Sequence, residues 1–179
     1  MNLIEQATLI ALRAHEGQMR KDAPVPYIVH PIYVGIILAR HGFSDVVVAA
    51  GIVHDVVEDT SVTIEDIVRE LGQDVADIVG PVTHDDTLSW EDKKRAYIES
   101  VRVSREEVKA VSIADKIANA QSLVDAHARE GEAMWRHFNA GREKKLWFEN
   151  AMLEMIKYEW KHPLVSEYAE CVKKMNTLV

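Results

Sequence analysis

The residues of this chain best suited to chemistry lie in the stretch Ala49-Ala50-Gly51-Ile52-Val53-His54-Asp55-Val56-Val57-Glu58-Asp59-Thr60. An apolar run ends there in two polar pairs, His54-Asp55 and Glu58-Asp59. On a helix His54 and Glu58 are i,i+4 neighbours, and so are Asp55 and Asp59. One helix end thus offers two metal-ligand types and, a turn further on, two carboxylates. A solvated helix C-terminus accounts for Glu58 and Asp59 equally well. It accounts badly for His54-Asp55, which follow residues 46–53 with little polar relief, because a buried ionised Asp needs a partner or a metal.

Two distant residues are candidate partners for that pair. His30 stands directly before Pro31, where an extended backbone is expected, and is either an inward-pointing ligand or a capping and packing residue. Asp115 lies in Val111-Ser112-Ile113-Ala114-Asp115-Lys116-Ile117-Ala118-Asn119, with Asn119 as its i,i+4 neighbour. A mid-helix Asp among Val, Ile and Ala is costly unless paired or ligated. His30, His54, Asp55 and Asp115 together give two imidazoles and two carboxylates. That mixed set suits Mn²⁺, Fe²⁺ or Zn²⁺, and Mn²⁺ leaves positions open for water and substrate.

The elements that must position these groups read as helices nearly throughout. A first helix carries Ile4, Ala7, Ala11, Leu12 and Ala14 on one face, with His15 next, and the loop Gly17 to Pro26 follows it. Pro31 suits the first position of a second helix that stops at Gly42. Ser44 or Asp45 caps a third, which holds the opening stretch. Thr63 to Asp66 resembles a capping box for a helix ending at Gly72. A short helix around Val75 to Val79 closes at Gly80-Pro81, before a polar loop from Thr83 to Thr87. Ser89 and Ser104 read as N-caps, the latter with Glu107 in capping-box position. The helix after Ser104 runs from about Arg105 to His127, and two more span Trp135 to Glu159 and Pro163 to Thr177. No alternating run demands a sheet, and no linker or repeat interrupts the chain. The expectation is one all-α domain over residues 1–179, a helical bundle with the metal site between helices.

Composition narrows the function classes. The 179 residues carry one cysteine, Cys171, which excludes a disulfide framework and a cysteine-based zinc site. No signal peptide is read at the N-terminus, and no apolar run nears the roughly 20 residues of a membrane helix. A cytoplasmic protein without membrane contact is expected. The net charge of −8 disfavours non-specific nucleic-acid binding.

Four blocks occur in order: Ala14-His15-Glu16-Gly17-Gln18-Met19-Arg20-Lys21, Pro26-Tyr27-Ile28-Val29-His30-Pro31, His54-Asp55-Val56-Val57-Glu58-Asp59-Thr60 and Ala114-Asp115-Lys116-Ile117-Ala118-Asn119. They resemble the HD superfamily of metal-dependent phosphohydrolases. Within it they are most similar to the hydrolase domain of RelA/SpoT-type alarmone enzymes, above all the stand-alone small alarmone hydrolases. The resemblance covers roughly residues 3–125, with the helices of 132–178 completing the domain.

The resemblance implies Mn²⁺-dependent removal of the 3′-pyrophosphate from (p)ppGpp, a small-molecule nucleotide. His30, His54, Asp55 and Asp115 would hold the metal, with Zn²⁺ or Fe²⁺ as alternatives. Glu58 and Asp59 would orient and activate water, Glu58 being preferred as base because it shares a helix face with His54. Arg20, Lys21 and Asn119 would contact substrate. For Arg20-Lys21, composition alone favours a solvated loop. Trp90 stands where the family carries a Lys that grips 5′-phosphates, and an Arg of a later helix has no clear counterpart around Arg142, Lys144 and Lys145. Lys93, Lys94 and Arg95 are either substitutes or a solvated helix face. The alternative readings are an HD-type hydrolase of another nucleotide, such as an adenine alarmone or NADPH, and a catalytically silent helical module. The aromatic C-terminal third packs helices or serves a homo-oligomer interface.

Overall fold

The computed structural model describes the whole chain except residues 22, 84–87, 139 and 179. Most of the polar loop expected up to Thr87 therefore lies outside the described residues. Among the described residues the chain is all-α, with one isolated antiparallel bridge between Met19 and Pro26.

Helix α1 (Leu3–Ala14) opens on a capping box in which the Asn2 side chain and the Glu5 carboxylate each accept the other's backbone N–H at 2.9 Å. The Met19–Pro26 bridge then folds the loop back so that Tyr27 precedes α2 (Val29–Arg40). That helix begins before Pro31, which puts His30 inside its first turn and not in extended backbone. The proline is tolerated there because its missing N–H would have had no intrahelical partner. His30 N–H instead donates to Tyr27 O at 3.0 Å.

The stretch expected as one helix is two, α3 (Asp45–Val53) and α4 (Val56–Asp59), with a turn at His54 and Asp55 between them. Ser44 precedes α3 in extended backbone, though its side chain makes no capping bond. Helix α5 (Ile64–Leu71) has both bonds of the expected Thr63–Asp66 box and stops at Gly72, whose φ of +92° suits glycine. Helix α6 (Gln73–Val82) runs through Gly80-Pro81, because proline in the last turn removes a single donor and the Pro81 carbonyl accepts from Ser100 Oγ at 2.9 Å.

Helix α7 (Trp90–Val103) is capped by Ser89, as expected. The Ser104–Glu107 box does not form: Ser104 Oγ donates back to Ser100 O at 2.7 Å, and α8 (Glu106–Glu130) starts after Arg105. A 3-10 turn (Gly131–His137) occupies the place expected to open the next helix, so α9 (Gly141–Glu159) starts at Gly141. Helix α10 (Pro163–Asn176) carries Pro163 in its first turn.

Helix α8 runs through the middle, buried from Val108 to Ala118 and packed on α2, α3, α6, α7 and α10. A helix buried on every side over such a stretch is a core element, and its buried Lys109, Ser112, Asp115 and Lys116 are the polar exceptions. Helices α2 and α3 approach closely through glycines: a methyl on Gly51 would overlap the Leu38 side chain, and one on Gly35 would lie 2.6 Å from Ile52 Cγ1. This packing puts the His30 and His54 rings 5.4 Å apart, beside Asp115 of α8.

Candidate metal centre and nucleotide cleft

Four side chains from three places in the chain converge. His30 Nε2 lies 3.1 Å from Asp115 Oδ1 and 3.5 Å from Asp55 Oδ2. His54 Nε2 lies 3.0 Å from Asp55 Oδ1 and 3.5 Å from Asp115 Oδ1. One ligand atom each from His30, His54 and Asp115 falls within 4.8 Å of the others. The His54 ring shows how it is meant to be used. Its Nδ1 donates to Gly51 O at 2.8 Å, while its buried Nε2 has no hydrogen-bond partner. A backbone carbonyl that fixes the Nδ1–H tautomer and aims the Nε2 lone pair inward is the usual outer support of a metal-bound histidine. The donor set therefore fits one divalent cation.

The local electrostatics agree. Burial works to lower the pKa of His54 and of His30, but the Asp55 and Asp115 carboxylates outweigh it and raise both. Burial would raise Asp55, yet the two imidazoles hold it well below the carboxylate range. Asp115 is likewise held down, first by the Lys116 ammonium 2.7 Å from its Oδ2 and then by the histidines. Its Oδ1 also accepts from Asn119 Nδ2 at 2.6 Å, so the expected i,i+4 pair forms. Both carboxylates are thus kept ionised as metal ligands must be.

Beside the cluster stands a residue that the sequence reading did not single out. Tyr27 Oη lies 2.6 Å from Asp55 Oδ2 and 2.9 Å from Asp59 Oδ2, so one phenol proton serves two carboxylates. His15 lies against its ring at 4.6 Å, and Gln18, 2.8 Å from His15 Nδ1, donates its amide to Asp59 O at 3.1 Å. Burial and the nearby Asp55 charge raise the Asp59 pKa. Glu58 reaches the same cleft from α4. His54 and Asp55 keep right-handed helical dihedrals between α3 and α4, and Asp59 is tied through Tyr27 to the cluster.

These groups line a cleft of about 700 Å³, the size of a small-molecule site. Arg20 lies over the Tyr27 ring at 5.8 Å and donates to Asn119 Oδ1 at 3.3 Å, and exposed Lys21 lines the same space. Trp90, Lys94, Lys116, Lys145 and Phe148 form another part of its lining. Arg142 turns away, donating to the Leu178 carbonyl, and Lys144 lies over the Trp90 ring at 5.5 Å.

A model of the HD domain matches residues 7–144, most of the chain. The chain belongs to the HD domain family. It is 40% identical over 124 residues to the guanosine-3′,5′-bis(diphosphate) 3′-pyrophosphohydrolase MESH1 of Xenopus tropicalis, covering 68% of this chain and 69% of the relative. The bifunctional (p)ppGpp synthase/hydrolase SpoT of Escherichia coli is 37% identical over 126 residues, 67% of this chain but only 18% of that longer enzyme. A solved structure described as a metazoan ortholog of SpoT that hydrolyzes ppGpp superposes with a TM-score of 0.82 at 26% identity, covering 100% of this chain and 98% of that one. A Listeria monocytogenes protein superposes with a TM-score of 0.77 at 38% identity over 86% of this chain and 99% of that one.

In this HD domain all nine residues singled out from the sequence line the one cleft: His30, His54, Asp55, Asp115, Glu58, Asp59, Arg20, Lys21 and Asn119. Tyr27 and Lys116 were missed. Each had a signal, since Tyr27 stands three residues before His30 and Lys116 is an isolated charge between Asp115 and Ile117. Among the described residues no helix is long and apolar enough to cross a membrane.

Proposed function

We propose that this chain is a Mn²⁺-dependent 3′-pyrophosphohydrolase of guanosine-3′,5′-bis(diphosphate) and its 5′-triphosphate analogue, acting on the free cytoplasmic nucleotide. The observation that carries the reading is the buried His30–His54–Asp115 cluster, with half-buried Asp55 beside it joined by Tyr27 to Asp59, inside a nucleotide-sized cleft. The 40% identity to a relative of that name supplies the substrate. A divalent cation held by the cluster would lower the pKa of water and neutralise charge on phosphoryl oxygens.

The protein's own residues do the rest. Asp59, with its pKa raised by burial and by Asp55, accepts the proton of the attacking water. Tyr27 Oη holds that carboxylate in place, and Glu58 adds a second negative group that orients the water. The water oxygen bonds to the phosphorus on O3′, the P–O3′ bond breaks, and O3′ takes up a proton to leave GDP or GTP and pyrophosphate. Arg20 and Asn119 hold the nucleoside, and Lys21 the phosphates at the mouth.

Pyrophosphate release from ppGpp by metal-stripped protein resupplied with Mn²⁺ tests this. Fast release that needs metal and falls further in Asp59→Asn than in Glu58→Gln is expected. Metal-loaded protein that leaves ppGpp intact would sink the substrate assignment. Trp90 on the cleft wall is the one feature that favours another nucleotide, so NADPH and an adenine alarmone belong in the same panel.

A further inference from the structure

Asp59, the proton acceptor of the reaction above, stands at the end of a helix of four residues. That single turn holds it by one backbone bond, Asp59 N–H to Asp55 O at 2.9 Å, and the chain leaves in extended backbone at Thr60. The last carbonyls of a helix have no intrahelical donor and need partners from elsewhere. Thr60 Oγ1 donates to Val56 O at 2.6 Å. The Asp59 carbonyl accepts from Gln18 Nε2 at 3.1 Å, a residue 41 positions earlier. What one turn of helix cannot fix is thus held from the loop after α1.

The Gln18 amide is itself oriented. A peptide carbonyl only accepts, so Gln18 turns Nε2 toward Asp59 and Oε1 toward His15 Nδ1, 2.8 Å away. Oε1 also only accepts, so Nδ1 carries the hydrogen and the neutral imidazole is left with a bare Nε2. That Nε2 is buried without a hydrogen-bond partner among the described residues, on a side chain 3% exposed. An apolar ring would fill the same space without the cost of an orphaned nitrogen. The same imidazole also supports the other side of Asp59. It lies against the Tyr27 ring at 4.6 Å, and Tyr27 Oη is 2.9 Å from Asp59 Oδ2. Tyr27 N–H donates to Gln18 O at 2.9 Å and Gln18 N–H to His15 O at 3.0 Å, so the three residues form one unit. Gln18 and Tyr27 line the cleft, and His15 stands outside its lining.

We propose that His15 and Gln18 are positioning residues for Asp59. They fix its carbonyl through the Nδ1–H and amide chain, and its carboxylate through Tyr27. The assignment rests on the function proposed above, in which Asp59 takes the proton of the attacking water. The contacts run to Asp59 and Tyr27 and not to the metal ligands. The pair therefore governs kcat and leaves KM and metal content alone.

The test uses Mn²⁺-loaded protein and ppGpp. His15→Phe keeps a ring on Tyr27 and removes the donor, and Gln18→Met keeps the chain length and removes the amide. Each lowers kcat about tenfold, the low end of the cost of losing an outer support, with KM and bound metal unchanged. The double variant is no slower than the slower single, because both changes cut one chain. His15→Asn, whose amide N–H substitutes for Nδ1–H, restores most of kcat. Thermal melting confirms that the variants are folded in the assay. Should His15→Phe not fold, Gln18→Met at its half-buried position carries the comparison with wild type. Unchanged kcat, a change in KM alone, or losses that multiply in the double variant overturn the assignment while leaving the hydrolase reading intact. If the wild type leaves ppGpp uncleaved, that reading fails instead, and the magnetic resonance shift of the Asp59 carbonyl carbon in Zn²⁺-loaded protein decides. The same displacement in His15→Phe and Gln18→Met supports the hold on Asp59, and a shift unmoved by His15→Phe overturns it.

Discussion

The two charged regions of the cleft are built on different principles. Around the metal centre every charge faces a partner within 3.5 Å, on helices pinned together by Gly35, Gly51 and α8. Around Lys94 the charges are mixed, with Lys116 and Lys145 lowering its pKa and Glu58 and Asp115 raising it, on two helices whose Trp90 and Trp147 rings meet 6.0 Å apart. The first arrangement is complete before substrate arrives and can orient a reaction. The second leaves one ammonium titrating lower than usual.

The sharpest way to break this contrast is to remove a ligand. His54→Ala should abolish metal binding and bring activity to background, measured by metal analysis and pyrophosphate release; retained metal would mean the cluster is only an ion-pair network. The same region should be proton-coupled. His30 and His54 have pKa values raised above 6.5 by Asp55 and Asp115, so a cation must displace ring protons. Calorimetry in buffers of differing ionisation heat should show proton release. Metal affinity should weaken as pH falls through the raised values.

Lys116→Met should be the costliest change in stability. It strands the Asp115 carboxylate inside α8, and loss of one member of a buried pair costs about 3–5 kcal/mol. Thermal unfolding should show the loss in metal-free protein and a smaller one with metal bound, since a cation then neutralises Asp115. Equal losses in both states would show that Lys116 packs on Tyr97 and Phe148 rather than balancing the centre.

The paired region was legible in the sequence for the same reason that it is costly to disturb. His54-Asp55 after eight apolar positions and Asp115 amid Val, Ile and Ala are placements that physics permits only with partners. Tyr27 escaped because a tyrosine before a helix is unremarkable until the fold brings Asp55 and Asp59 to its hydroxyl. The boundaries that shifted, at Pro31, Pro81 and Ser104, are places where a local bias against helix or for a cap yielded to tertiary packing. Lys94 and Lys145 were named only beside the reading of a solvated helix face, since a lysine on an amphipathic helix reads that way until α7 and α9 turn those faces toward one cleft.

Tyr27→Phe removes a hydroxyl and keeps the ring on His15. It should lower kcat about 10- to 100-fold, the usual cost of losing an outer support, with KM little changed. A KM effect of that size with kcat intact would move Tyr27 from the reacting side of the cleft to the binding side.

The smallest expected effect tests the region around Lys94 directly. The Lys94 value of about 8 in the folded protein lies below its ordinary 10.5. Between those values the unfolded chain binds a proton that the folded protein has released, so stability should rise with pH across that window. Below about pH 8 both states are protonated, and the penalty of the largely buried ammonium is constant. Chemical denaturation at intervals from pH 7.5 to 10.5 should therefore show an upward contribution that Lys94→Gln lacks. A slope that survives the substitution would come from another group and leave Lys94 an ordinary surface lysine.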